Sequence, residues 1–140
     1  VILFCDTSAL LKLYIEEPGS DAVKARLHEA QAVAVCRIAW AQAHAALSRR
    51  ARETPEDAGT LEQAKAALAA DWPRYVVMEI NQAVVERGGD YADTFALRAY
   101  DSVQLAAAFE TGLIAQTPVR FACFDIRLNK AAKLQGMDCL

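Results

Sequence analysis

Val1-Ile2-Leu3-Phe4-Cys5-Asp6-Thr7-Ser8-Ala9-Leu10-Leu11 opens the chain with five apolar residues, one carboxylate and a helix-forming run. A strand with one face in water alternates apolar and polar residues. An unbroken apolar run instead suits a strand buried on both faces, as in a parallel sheet. Thr7 or Ser8 can cap the helix that carries Ala9, Leu10, Leu11, Leu13 and Tyr14. The unit is therefore strand, aspartate, helix.

Working outward, the same alternation returns along the chain. Glu17-Pro18-Gly19-Ser20 is a loop, and Ser20 or Asp21 starts a helix to about Ala30, with Val23 and Leu27 on one face. Ala32 to Cys36 reads as a second strand. Ile38 to Arg52 is an alanine-rich helix ending in the basic cluster Arg49, Arg50 and Arg52. Thr54-Pro55-Glu56-Asp57 breaks it and caps a helix to about Ala70. Tyr75 to Glu79 is a third strand, and Asn81 caps a helix through Val85. Gly88-Gly89-Asp90 is expected to interrupt the chain before a long helix from about Thr94 to Thr111, which Gly112 stops. Arg120 to Phe124 is a fourth strand, Asp125 caps a last helix to about Leu134, and the tail after Gly136 adds an edge strand. Strands alternating with helices mark an α/β fold with a mostly parallel sheet. With 140 residues and no repeat or linker, residues 1–140 are expected to form one domain.

Composition narrows the function. Hydrophobic residues make up 54% of the chain, which excludes a disordered one. The formal net charge of −3 argues against a dedicated nucleic-acid binder, but basic residues can still cluster locally. Cys5, Cys36, Cys123 and Cys139 form no C-x-x-C pair, so zinc and thioredoxin chemistry lack support, and a reducing compartment is expected. No apolar stretch is long enough to span a membrane, and the opening run is too short for a secretion signal, so the expected location is cytoplasmic.

Three carboxylates carry the chemistry. Asp6 and Asp125 each follow an apolar strand, and in a parallel sheet both reach the carboxyl edge where α/β folds place ligands. Each also suits a plain helix N-cap. Asp101 is expected mid-helix, on the apolar stripe of Leu97, Leu105 and Ala108. A carboxylate there costs several kcal/mol, as an order of magnitude, unless paired. Arg98 is one candidate partner and a bound cation the other. All-oxygen ligation suits Mg²⁺ or Mn²⁺, and its natural chemistry is phosphodiester hydrolysis.

Asp6-Thr7-Ser8-Ala9-Leu10-Leu11-Lys12-Leu13-Tyr14 with Glu17-Pro18-Gly19-Ser20 resembles the N-terminal signature of VapC-type PIN-domain toxins. Leu97-Arg98-Ala99-Tyr100-Asp101-Ser102-Val103-Gln104-Leu105-Ala106 is similar to that family's helix bearing its third acidic residue. Phe124-Asp125-Ile126-Arg127-Leu128 is similar to its last acidic motif. The three motifs fall in order over essentially the whole chain. The resemblance implies a three-layer α/β/α sandwich around a mostly parallel sheet and a Mg²⁺- or Mn²⁺-dependent endoribonuclease acting as the toxin of a toxin–antitoxin system. It further implies an RNA substrate, a cognate antitoxin and a homodimer. It assigns Asp6, Asp101 and Asp125 as metal ligands, with Ser8 as a supporting hydroxyl.

One position departs from the pattern: Gln42 stands where the family places a glutamate. Ile38, Ala45 and Ala46 at helical spacing put it on a small, apolar face. An amide keeps one oxygen but loses the charge. Gln42 then belongs either to a natural site of three carboxylates and a neutral oxygen, or to an attenuated enzyme. The rival function is a weak or inactive PIN-like module that binds an antitoxin or RNA. Other hydrolase schemes fare worse. Ser8 stands where a D-x-D phosphatase needs its second aspartate, no phosphate-binding loop occurs, and only His28 and His44 could serve a nucleophile. Phosphate contact is one reading of Arg49, Arg50 and Arg52, and compensation of the helix dipole the other. Trp40 and Trp72 suit packing better than base stacking.

Overall fold

The computed structural model describes residues 1–140. In chain order the elements are β1 (Ile2–Cys5), α1 (Thr7–Leu11), α2 (Ser20–Glu29), β2 (Ala32–Cys36), α3 (Ala39–Glu53), α4 (Ala58–Asp71), β3 (Val76–Met78), α5 (Gln82–Phe95), α6 (Ala99–Ala115), β4 (Val119–Ala122), α7 (Ile126–Leu134) and β5 (Asp138–Cys139). Short 3₁₀ turns at Pro55–Asp57 and Trp72–Arg74 flank α4. The five strands form one sheet in the order β3-β2-β1-β4-β5, and every pairing is parallel.

The apolar run of β1 is explained by its place at the centre. Ile2 and Phe4 face one layer, Leu3 and Cys5 the other, and all four are buried. The first layer holds Val84, Tyr91, Leu105, Leu128 and their neighbours from α5, α6 and α7. The second holds Leu10, Val23, Leu47, Leu61 and Leu68 from α1 to α4. This is the α/β/α sandwich. Each fully buried leucine or phenylalanine contributes about 1.5–3 kcal/mol, so the two-sided burial of the central strands is the main stabilising element. The four cysteines are free thiols.

The chain builds outward from β1 in one direction to β2 and β3, then in the other to β4 and β5. The reversal falls between β1 and β4, and a parallel sheet opens its ligand crevice at the carboxyl ends of such a pair.

Two expectations are corrected in the segment before the last strands. Gly88-Gly89-Asp90 does not interrupt the chain, because α5 runs through it from Gln82 to Phe95. Gly88 is buried against α6: a Cβ on it would meet the Ser102 carbonyl at 3.6 Å and a Val103 methyl at 3.5 Å, ordinary contact distances that leave room for a methyl and none for a larger side chain. The second correction concerns the helix expected from Thr94 to Thr111. The chain breaks after Phe95, where Ala96 takes a left-handed conformation with φ of 54°, and α6 starts only at Ala99. Strand β4 is also shorter at its end than expected, stopping at Ala122.

Candidate functional site

Asp6 is the first residue past β1. Its backbone N–H donates to the Ala122 carbonyl at 3.1 Å, so the β1–β4 pairing fixes its place. Its side chain caps α1: Oδ1 accepts from the Ala9 N–H at 2.9 Å and from the Ser8 hydroxyl at 2.7 Å. The carboxylate is only 7% exposed. Burial pushes its pKa up to about 6; the Ala9 and Ser8 hydrogen bonds pull it down without cancelling that, and the Asp101 charge adds to the rise.

Asp125 is the third residue past β4 and caps α7, its Oδ1 accepting from the Leu128 N–H at 2.9 Å. The N-cap reading of Asp6 and Asp125 is therefore correct, and it is compatible with a site. In both residues these bonds engage Oδ1 and leave Oδ2 without a protein donor.

Asp101 is not mid-helix. It stands in the first turn of α6, on a side chain 35% exposed, with the Arg98 guanidinium 3.8 Å away. The expected stripe with Leu97 does not exist, because Leu97 lies outside the helix. Burial raises the Asp101 pKa, Arg98 opposes that, and the neighbouring Asp125 charge raises it further. Its placement suits a carboxylate beside the positive end of a helix. The costly buried charge inferred from periodicity is only half present.

Asp6, Ser8, Asp101 and Asp125 line one cleft, with Arg98 and Tyr100 at its rim. The N-termini of α1, α6 and α7 all open onto it. No three carboxylate, thiol or imidazole groups stand close enough together to hold a metal ion as they are placed. The donor set nonetheless fits a hard divalent cation. It is all oxygen, two of the carboxylates have an uncommitted oxygen, and the Asp101 charge raises the pKa of Asp6 as the Asp125 charge raises that of Asp101.

Gln42 is not part of that lining. It sits in α3 with Oε1 accepting from the Thr7 hydroxyl at 2.5 Å and from the Gln104 amide at 3.0 Å. Its face does carry Ala45 and Ala46, as the spacing implied, but it opens on a neighbouring groove with Arg49 and Arg52. Sequence reasoning missed Thr7 and Gln104 as partners. The available signal was Gln104 itself, a polar residue in an otherwise apolar turn of α6. Its side chain is buried, with only 3% of the residue exposed, and its Oε1 has no partner. His44 is half-buried and stacks beside Trp40, whose ring meets Trp72 edge-on at 5.1 Å, so the tryptophans pack as expected.

With that geometry in place, four likenesses are informative. The profile of the PIN domain family matches residues 3–134. Ribonuclease VapC45 of Mycobacterium tuberculosis is 29% identical over 135 residues, which is 96% of this chain and 92% of that protein. Two solved structures share the fold at low identity. Mycobacterium tuberculosis VapC20, described as a sarcin-ricin loop cleaving toxin, superposes with a TM-score of 0.65 at 17% identity, covering 92% of this chain and 94% of that one. The VapBC2 complex of Rickettsia felis, bound to a DNA fragment from its promoter, gives 0.67 at 10% identity, covering 100% and 98%.

Proposed function

The chain belongs to the PIN-domain family, and from that premise we propose that it is a divalent-metal-dependent endoribonuclease, the toxin of a VapC-type toxin–antitoxin pair. The observation that carries the reading is the meeting of Asp6, Asp101 and Asp125 in one cleft, at the carboxyl edge of a parallel sheet and at its point of reversal.

Asp6, Asp101 and Asp125 are the residues that would hold Mg²⁺ or Mn²⁺. When bound, such an ion supplies an activated water and neutralises charge on the scissile phosphate. The protein's own groups do the rest. The Ser8 hydroxyl and the Ala9 N–H hold Asp6 Oδ1 and so aim its other oxygen. Arg98, with a side chain 88% exposed at the cleft rim, is placed to receive a phosphate oxygen. Gln42 accepts the Thr7 hydroxyl from α3, outside the cleft that the carboxylates line.

The ribonuclease relatives support RNA as substrate, and the toxin–antitoxin neighbours support an antitoxin as partner. Phe124 and Ile126, exposed beside the cleft, offer that partner an apolar edge. A homodimer belongs to the same proposal. No helix is long and apolar enough to cross a membrane.

The rival reading, a weak or inactive binding module, drew its force from Gln42. It has less support now, because the three carboxylates line their cleft without that residue. The test is cleavage of a structured RNA with Mn²⁺, with EDTA and Asp6→Asn as controls. Metal-dependent cleavage lost in both controls is the expected result. No cleavage at high enzyme concentration would sink the enzyme reading.

A further inference from the structure

The acidic cleft is the middle of a longer groove. On one side it shares Arg98, Asp101 and Asp125 with a hollow that also holds Arg127. On the other it shares Tyr100 with the groove lined by Gln42, Ala45, Ala46, Arg49 and Arg52. The groove is therefore acidic at its centre and cationic at both ends.

We infer that the Gln42–Arg49–Arg52 face of α3, together with Tyr100, is the track that leads a single RNA strand into the acidic cleft, and that Gln42 contacts this strand and not the metal. The inference rests on the ribonuclease reading. Residues 42, 45, 46, 49 and 52 fall on one helical stripe. Ala45 and Ala46 form a low floor over which a sugar–phosphate backbone can approach. Arg49 and Arg52 enter no ion pair, whereas Arg50 between them turns away and bridges Glu17 at 2.9 Å. The basic cluster thus divides into one structural cation and two facing the groove. Compensation of the helix dipole accounts for Arg50 and Arg52, which lie in the last turn, and leaves Arg49 unexplained.

Gln42 fits the same track. Its oxygen is committed to two donors, Thr7 and Gln104, so its Nε2 is the group left for the groove. An N–H donor suits a phosphate oxygen or a base edge and cannot ligate a cation. Tyr100 is 57% exposed, adjoins Asp101 and lines both cleft and groove. An exposed ring there is a stacking platform for the base next to the scissile phosphate. Spaced cations on a small floor with one aromatic edge match a strand of alternating phosphates and bases better than an acidic peptide.

The test is fluorescence anisotropy with a short labelled single-stranded RNA in EDTA, where binding is read without cleavage. The double variant Arg49→Gln/Arg52→Gln is expected to bind about tenfold more weakly and to lower the slope of log K against log salt by about 1.4, roughly 0.7 per lost phosphate contact. Tyr100→Ala is expected to weaken binding about tenfold and Tyr100→Phe to keep it, because the ring and not the hydroxyl does the stacking. Lys130→Gln, an exposed cation on α7 outside the groove, is expected to change neither quantity. Melting curves confirm that each variant is folded. Wild-type affinity and slope in the double variant would overturn the inference, as would an equal loss in Lys130→Gln. Tighter binding of poly-glutamate than of RNA, lost in the same variants, would assign the groove to an acidic peptide and overturn it too. Calorimetric Mn²⁺ titration of Gln42→Ala is expected to match wild type; a lost heat of binding would return Gln42 to the metal. If RNA binding behaves as expected while Mn²⁺ cleavage is absent, the ribonuclease reading alone fails.

Discussion

The Gln104 side-chain amide donates to Gln42 Oε1 at 3.0 Å, joining α6 on one face of the sheet to α3 on the other. The bond passes beyond the strand ends, beside the acidic cleft. Gln104 also reaches the Thr7 hydroxyl at 3.2 Å, so one buried amide ties three helices together.

That amide also carries a liability, since its own Oε1 is buried without a donor. Gln104→Leu removes the unpaired oxygen with the bond, and leaves Gln42 still held by Thr7. The expected net change in stability is within about 1 kcal/mol, against a loss of about 2 kcal/mol or more for Gln104→Ala, which leaves a cavity. Urea denaturation of the two variants reads the difference.

Asp6 predicts a pH dependence. Its folded pKa, about 6, lies above the ordinary 3.8. Its contribution to stability is therefore fully present below pH 3.8 and lost as pH rises through 6. About two units correspond to roughly 3 kcal/mol. Asn keeps the cap to Ala9 and carries no charge. Asp6→Asn is expected to be more stable than wild type by about 2–3 kcal/mol at pH 7.5 and equal to it near pH 3.5. Melting temperatures across that range check this, and a stability gain at pH 3.5 equal to that at pH 7.5 would refute it.

Metal should reverse the same cost. In wild type, Mn²⁺ at a hundredfold excess over its Kd is expected to add about 2.7 kcal/mol of stability, and EDTA to remove it. Asp6→Asn and Asp125→Asn should gain much less. Thermal melts with and without Mn²⁺ measure it.

Gly88 and Gly89 sit side by side in α5 with different surroundings. Gly89 is exposed and a Cβ there meets nothing within 4 Å, so Gly89→Ala is expected to stabilise by about 0.5–1 kcal/mol. Gly88→Leu drives a side chain into α6 and is expected to cost about 1–3 kcal/mol. Equal effects of the two would contradict the close α5–α6 packing.

Gly19 takes a φ of 95°, and a Cβ on it would stand 2.7 Å from the Phe124 ring. Lys12 Nζ lies 4.6 Å from the centre of that ring, so the Glu17–Gly19 loop and the residue before Asp125 are packed as one piece. Gly19→Ala is expected to lose about 1–3 kcal/mol and to weaken Mn²⁺ affinity through displacement of Asp125. Melting and metal titration of one sample separate the two effects.

The strands and the residues at their ends were legible because their signals are local. Val1 to Cys5 and Ala32 to Cys36 are apolar without alternation, and burial on both faces follows from that alone. Asp6 was placed at the carboxyl edge by following the strand Val1 to Cys5, and Asp125 by following the strand Arg120 to Phe124. Asp101 was singled out for an unsound reason. Its supposed mid-helix burial assumed that the helix ran back through Leu97, and nothing local announces the left-handed turn at Ala96. The Gly88-Gly89 pair misled in the opposite sense. Its low helix propensity costs about 1 kcal/mol per glycine, yet α5 runs through both residues because its apolar face, with Val84 and Tyr91, is buried in the core.

The sequence by itself determined the alternation of strand and helix, the parallel sheet and the three carboxylates to examine. These follow from periodicity, capping and chain order, which are properties of neighbouring residues. Only the tertiary structure decided that Asp6, Asp101 and Asp125 share a cleft while Gln42 turns to Thr7, Gln104 and the arginine groove. Those choices depend on which helices lie across the sheet edge from one another, and on where each side chain finds its donor. Donors 35 and 62 residues from Gln42 leave no trace in its local pattern.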